Sequence, residues 1–286
     1  MKNPLRTLRL RLGAFAEKSL DASRSPLLRR LHELEQQAGE QGRCLEVFTF
    51  MKWIRHATIA TTPLISVVLP TRDRRERLER AIASVVCQTY SNWQLVVVDD
   101  GSVDTTSDFL AHLDDTRIRC VRAGGLGICA ARNIALGLTA GEIIAYLDDD
   151  NTFHEEWLKS VAWGFAQRPE TSVLYGAFIV DNPSRNRKRD WLPKLYFRDY
   201  DHQGLARNNI ADMGCIAHRA GLAEAHFDES LREMGDWDLF LRLTKDAPPL
   251  PLPAIACYYT TDAPNRSSFG PTHATDKARV RQKNKR

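Results

Sequence analysis

Three short apolar runs in this chain each stop abruptly at a polar cluster. Ile65–Leu69 ends at Pro70-Thr71-Arg72, Leu95–Val98 at Asp99-Asp100-Gly101-Ser102, and Ile143–Leu147 at Asp148-Asp149-Asp150. Apolar runs of this length, bounded by turn residues, read as strands. Segments of helical periodicity separate them at Leu78–Gln88, Asp104–Leu113 and Cys129–Leu138, and a further strand is expected at Ile118–Val121. Strands that alternate with helices imply βαβ units, hence an α/β fold with a mostly parallel central sheet flanked by helices. Ligands of such sheets bind at the carboxyl ends of the strands. The three polar clusters are therefore expected to meet in one crevice, far apart as they are in sequence. A helix near Glu155–Ala166 and a strand near Ser172–Val180 continue the pattern.

The triple acid at Asp148–Asp150 carries the most chemistry. Three like charges in succession repel one another, and burying any of them unpaired is costly. A cation resolves the conflict. Mg²⁺ and Mn²⁺ take oxygen ligands and bridge one or two carboxylates to substrate phosphates. A solvated acidic turn is the competing reading of the same residues.

Composition narrows the classes. With 286 residues the chain holds one large α/β domain or two small ones, and 43% apolar with 27% charged content is ordinary for a soluble protein. The net charge of +4 comes without a dense basic stripe interleaved with aromatics, so nucleic acid is not an expected partner. The 6 cysteines form no CxxC pair, which points to reduced, mostly buried thiols and a cytoplasmic setting. No apolar stretch reaches the length of a membrane span, and the N-terminus has no signal-peptide core.

Residues 1–62 form a basic helical N-terminal extension. Leu5, Leu8, Leu12 and Phe15 recur at helical spacing, as do Leu27, Leu28, Leu31 and Leu34, with Pro26 dividing the two pieces. Two readings compete: a hairpin packed on the main domain or on another subunit, and a basic amphipathic surface that brings residues 1–30 against the inner face of a membrane. The main domain is drawn at 63–262, with halves 63–151 and 152–262. Residues 181–211 break the rhythm with the basic run Arg185–Arg189 and the aromatics Trp191, Tyr196, Phe197 and Tyr200, the composition of a flap or of a solvated connection. Residues 263–286 read as a polar, basic, frayed tail.

Taken in order, Ser66–Arg72, Val96–Ser102, Gly127–Asn133, Tyr146–Asn151 and Glu233–Leu241 give the span from about Leu64 to Thr260 a clear resemblance to the family 2 glycosyltransferases of the GT-A fold. The resemblance implies an inverting transfer of sugar from a nucleotide-diphosphate donor, uridine-linked, to a glycan or lipid-linked acceptor hydroxyl in cell-surface glycan assembly. It assigns the nucleotide base to Pro70, Thr71, Arg72 and Asp100, phosphate or donor sugar to Arg132, ribose or a metal-bound water to Asp148 and Asp149, the metal (Mg²⁺ or Mn²⁺) to Asp150, and the catalytic base to Asp236. Local readings stay open beside it. Asp99–Ser102 suits a helix-capping turn, Arg132 suits a structural partner for a strand-end acid, and Asp236 or Asp238 suits a helix cap. His218 reads as a packed or surface histidine, and Arg266 as a surface arginine or a diphosphate contact. Asp148-x-Asp150-x-Thr152 also resembles the nucleophile motif of haloacid dehalogenase-like phosphohydrolases, and a non-catalytic nucleotide-sugar-binding protein is a further alternative.

Overall fold

The computed structural model describes residues 26–181, 194–261 and 272–284. By its contacts the chain divides into two units, Met1–Glu46 and Val47–Arg286. Helix α1 spans Pro26–His56. Proline suits a first helical turn, where its missing N–H has no partner to lose. In the second unit the last turns of α1 bury Val47, Met51 and Ile54. Phe50 and Trp53 lie 5.3 and 5.1 Å from the Trp163 ring. The extension drawn to residue 62 thus gives way to the main unit at Val47, where the helix acquires a face of core residues.

Four parallel strands build the first half of the sheet. β1 (Ile65–Thr71), β2 (Trp93–Asp99), β3 (Ile118–Arg122) and β4 (Ile143–Tyr146) lie in the order β3-β2-β1-β4. Helices α2 (Arg75–Val86), α3 (Thr106–Ala111) and α4 (Ile128–Leu136) connect them. β1 and β4 are buried along their whole length, which is why they read as unbroken apolar runs rather than alternating ones.

After β4 the sheet becomes mixed. The elements that follow are β5 (Thr152–Phe153), α5 (Trp157–Gln167), β6 (Val173–Asp181), β7 (Lys194–Tyr196), α6 (His202–Arg207), β8 (Ile216–Arg219), α7 (Gly235–Leu243), β9 (Leu250–Thr260) and α8 (His273–Lys283). β8 pairs antiparallel with β4 and β6, while β9 runs parallel to β6 and antiparallel to β5. The mostly parallel expectation therefore describes the first half. Buried strands look alike in sequence whichever way they pair, so the turn to antiparallel order leaves no local mark. The basic run 185–189 and Trp191 fall outside the described residues. Lys194–Tyr196 pairs with β6, so that part of the expected irregular connection is a strand.

The frayed tail is corrected over His273–Lys283, which is helix α8. Val280 and Asp276 are buried, and the Asp276 carboxylate accepts the backbone N–H groups of Arg232 and Glu233 at 3.0 and 2.9 Å. Lys283 pairs with Asp228 at 2.9 Å and with Asp238 at 3.2 Å. Only two side chains reach the interior, so the helix is held by polar contacts that its composition does not advertise. The thiol expectation is also adjusted: Cys129, Cys215 and Cys257 are buried, whereas Cys87 and Cys120 are exposed.

His218 is a packed histidine rather than a surface one. Its Nδ1–H donates to the Arg219 carbonyl at 2.7 Å, leaving Nε2 to accept the Tyr146 hydroxyl at 2.7 Å. Burial pushes the imidazole down to about 4. A folded pKa below the unfolded value gives stability that is complete above the unfolded pKa and is lost as pH falls toward the folded one. Between pH 7 and 5 the His218 share of that loss is about 2 kcal/mol. His218→Gln, which cannot charge, is expected to flatten the acid limb by that amount in urea titrations at the two pH values. An unchanged slope would show that His218 does not set it.

Candidate active site

The strand ends converge as the alternation requires. The carboxyl ends of β1, β2 and β4 open onto two adjoining cavities that share Pro70, Arg74, Ile128, Asp149 and Arg232. The larger, about 690 Å³, is lined by Pro70, Thr71, Arg72, Asp100, Asp149 and the 125–131 segment. The smaller, about 240 Å³, is lined by Arg132, Asp148, Asp149, Asp150, Asn209, Asp212 and Asp236 among others. Every residue that the resemblance assigns borders one cavity or the other, while Arg266 lies outside the described residues.

At the end of β2 the two acids differ in work. Asp99 accepts the Ser102 N–H at 2.8 Å and the Ser107 hydroxyl at 2.6 Å, so it braces the turn. Gly101 sits at φ +78° with a would-be Cβ 3.0 Å from the Gly125 nitrogen, a position open only to glycine. Asp100 accepts the N–H groups of Leu126 and Gly127 at 2.7 and 2.8 Å, pinning the loop that leads into α4. Each carboxylate oxygen still has a lone pair for a ligand. Gly127 enters α4 at φ +100°.

The triple acid is partly neutralised by two arginines. Arg132, on α4 and almost fully buried, pairs with Asp148 at 2.5 Å. The structural reading of Arg132 is therefore satisfied, although its Nε finds no hydrogen-bond partner while the residue lines the smaller cavity. Arg74 reaches across from the start of α2, with Nη1 2.8 Å from Asp149 and 3.3 Å from Asp150. Thr71 donates to Asp149 at 2.8 Å. Burial raises the Asp149 pKa, and Arg74 and Thr71 oppose the rise. Asn133 ties elsewhere, donating to the Phe227 carbonyl at 3.0 Å and accepting the Phe227 N–H at 2.8 Å.

Opposite stand two more carboxylates. Asp236 lies in the first turn of α7, whose N-cap is Met234 in the left-handed region at φ +61°. Neither Asp236 nor Asp238 is the cap. Asp238 is fully buried and held by Arg242 at 2.9 Å and by Lys283. Asp236 instead lines the smaller cavity and accepts a hydrogen bond from Asn209 Nδ2 at 2.8 Å. Burial raises its pKa, opposed by the nearby helix-start amide and Arg132. Asp212 was not singled out from sequence. It precedes β8, accepts the Gly214 N–H at 3.0 Å, and is pushed up to about 8 by burial and by repulsion from Asp148, Asp236 and Asp150. Like charge around it thus favours the protonated form of Asp212.

A parallel half-sheet ending in acids, continued by a mixed half that brings a further carboxylate across the cavity, is the architecture of the GT-A glycosyltransferases. Solved structures agree on the fold. TarS of S. aureus, determined in complex with UDP-GlcNAc, superposes at TM-score 0.61 with 18% identity, over 76% of this chain and 64% of that one. A mannosyltransferase from Pyrobaculum calidifontis, in complex with GDP-Man and Mn2+, superposes at TM-score 0.51 with 19% identity, over 82% and 68%. The family described as glycosyl transferase family 2 matches residues 66–229, and the chain belongs to it. Among curated relatives, the Escherichia coli (strain K12) glycosyl transferase WcaA, named for colanic acid biosynthesis, is 31% identical over 63% of this chain and 66% of its own length. The Escherichia coli UDP-Glc:alpha-D-GlcNAc-diphosphoundecaprenol beta-1,3-glucosyltransferase WfgD is 32% identical over 42% and 48%. The chain thus covers less than two thirds of either relative's length. Family membership removes the phosphohydrolase alternative. Thr152 agrees, lying on an edge strand paired with Tyr258.

Proposed function

We propose that this chain is an inverting, metal-dependent glycosyltransferase that moves a sugar from a uridine diphosphate donor to an acceptor hydroxyl in cell-surface glycan assembly. The single observation that carries the reading is the placement of Asp236 on the smaller cavity across from Asp148–Asp150, with the larger cavity alongside. Similarity to WcaA and WfgD supports the glycan setting, and the glycan or lipid-linked acceptor is proposed on the same ground. No helix among the described residues is long and apolar enough to cross a membrane.

In this reading Pro70, Thr71, Arg72 and Asp100 hold the nucleoside in the larger cavity. Asp148 and Asp149 hold the ribose side, each oriented by its arginine. The carboxylates suit Mg²⁺ or Mn²⁺: oxygen donors crowd one wall, and like charge favours the protonated form of Asp212. Among the described residues no group of three or more His, Cys, Asp or Glu is arranged to enclose a metal, which fits an ion completed by substrate phosphates. Asp150 would hold it, and bound there it supplies charge to stabilise the departing diphosphate. Arg132 offers its unpartnered Nε toward phosphate or sugar. Asp236 takes the proton from the acceptor hydroxyl as the new bond forms. Asn209 fixes the orientation of that base. With Asp236 as the single base, direct displacement by the acceptor oxygen inverts the sugar carbon.

Thermal shifts test this reading without knowledge of the acceptor. UDP together with Mn²⁺ at a hundredfold excess over Kd is expected to raise Tm by about 5 °C. Mn²⁺ or UDP alone is expected to do much less. If no nucleoside diphosphate stabilises the chain with any divalent ion, or if the chain hydrolyses phosphoesters, the reading is wrong.

A further inference from the structure

The two cavities meet along a wall made of Pro70, Arg74, Ile128, Asp149 and Arg232, which line both. A nucleotide-sugar donor held as described puts its nucleoside in the larger cavity and its sugar beside Asp236 in the smaller one. Its diphosphate then lies along the shared wall, with one negative charge on each phosphate. Arg132 and Arg74 offset two of the three strand-end acids. A divalent ion at Asp150 offsets the third acid and one phosphate, which leaves the other phosphate charge to be met.

Arg232 is the cation placed to meet it. The other basic side chains that line the cavities are committed elsewhere. Arg74 holds Asp149 and Asp150, and Arg132 holds Asp148. Arg72 lines only the larger cavity and lies 3.7 Å from Asp73. His273 lies 3.3 Å from Glu233. Arg232 is exposed, and among the described residues its guanidinium pairs with no carboxylate.

The backbone beneath that side chain is fixed. The buried Asp276 carboxylate of α8 accepts the N–H groups of Arg232 and Glu233 at 3.0 and 2.9 Å. Glu233 accepts the Thr272 hydroxyl at 2.8 Å. Met234 follows in the left-handed region at φ +61°, a costly conformation for a residue with a side chain, and Asp236 comes two residues later. An uncommitted guanidinium thus springs from a backbone held in register with the base.

We propose that Arg232 binds the donor diphosphate at the junction of the two cavities, its planar guanidinium making charge-assisted hydrogen bonds to phosphate oxygens. This role rests on the glycosyltransferase reading of the same site. During transfer the acceptor oxygen bonds to the sugar carbon, its proton passes to Asp236, and the bond from that carbon to the phosphate oxygen breaks. The electron pair stays on the diphosphate, so the contact with Arg232 strengthens as the charge grows.

Calorimetric titration of UDP and of uridine, each with Mn²⁺, into the wild-type chain and Arg232→Ala tests the proposal, with transfer rates measured alongside. Arg232→Ala is expected to weaken UDP about tenfold and uridine by less than about twofold. Ligand-free Tm is expected to stay unchanged, because the side chain is exposed and the backbone N–H still reaches Asp276. Arg232→Lys keeps the charge without the planar fork, and its UDP affinity is expected to fall between those of wild type and Arg232→Ala. UDP bound equally by wild type and Arg232→Ala overturns the proposal. Equal losses for uridine and UDP would place Arg232 on the nucleoside and overturn it too. So would slower transfer at saturating donor with UDP affinity unchanged, which would place Arg232 on the acceptor. A wild-type chain that binds no nucleoside diphosphate removes the glycosyltransferase reading itself, and the role of Arg232 with it.

Discussion

Asp236→Asn is expected to lower glycosyl transfer about a thousandfold while UDP binding in the presence of Mn²⁺ stays within about twofold. The amide is isosteric but cannot take a proton from the acceptor hydroxyl. Binding survives because Asp236 lies on the smaller cavity, whereas Thr71, Arg72 and Asp100 line only the larger one. Folding survives as well, since Asp236 makes no ion pair among the described residues and its partner Asn209 can hydrogen-bond an amide. Asp238→Asn gives the opposite pattern. It weakens the ties to Arg242 and Lys283, so stability falls while the proton acceptor remains. Transfer rate and UDP affinity, measured on both variants, check the assignment. Normal turnover by Asp236→Asn would remove Asp236 from the role of base.

Asp150→Ala is expected to abolish the dependence of UDP affinity on Mn²⁺, a loss of about 30- to 150-fold at saturating metal, from roughly 2–3 kcal/mol for one charge-assisted contact. Calorimetric titrations with Mn²⁺ and with chelator measure it directly. The ligand-free Tm is expected not to fall. Asp149 keeps both Arg74 and Thr71 after the change, and one of three adjacent like charges is gone. Metal dependence that persists in Asp150→Ala would move the ion to Asp148 or Asp149. A collapse in ligand-free stability would show instead that Asp150 serves the fold, through its contact with Arg74.

The crevice was legible because the apolar runs have the lengths and stops of buried strands and alternate with helices, which makes the strands of the first half parallel. Once β1, β2 and β4 are recognised, their polar ends must lie side by side. Asp236 was legible through its motif, and its separation from Asp238 was not. The two are two residues apart on a helix start, and only the positions of Arg242 and Lys283 reveal which one is neutralised. Arg74 was missed for a similar reason. It stands in the run Arg72-Asp73-Arg74-Arg75, where each side chain looks equally solvated, and it is the reach from α2 to the β4 end that sets it on Asp149. Asp212 comes from an ordinary loop. Its place in the site depends on β8 pairing antiparallel with β4, a choice that buried strands do not record. Helix α8 was hidden by its polarity, since carboxylate and lysine contacts rather than an apolar face hold it in place.

The electrostatic account of the site keeps Arg74 on Asp149 and assigns the ion to the Asp150 carboxylate. The most direct test is a crystal of the full chain grown with UDP and Mn²⁺, with data collected at a wavelength where manganese scatters anomalously. The account predicts a manganese peak beside the Asp150 carboxylate, diphosphate next to it, and the uracil in the cavity lined by Thr71 and Asp100. A manganese peak away from Asp148–Asp150, or a uracil outside that cavity, would contradict it.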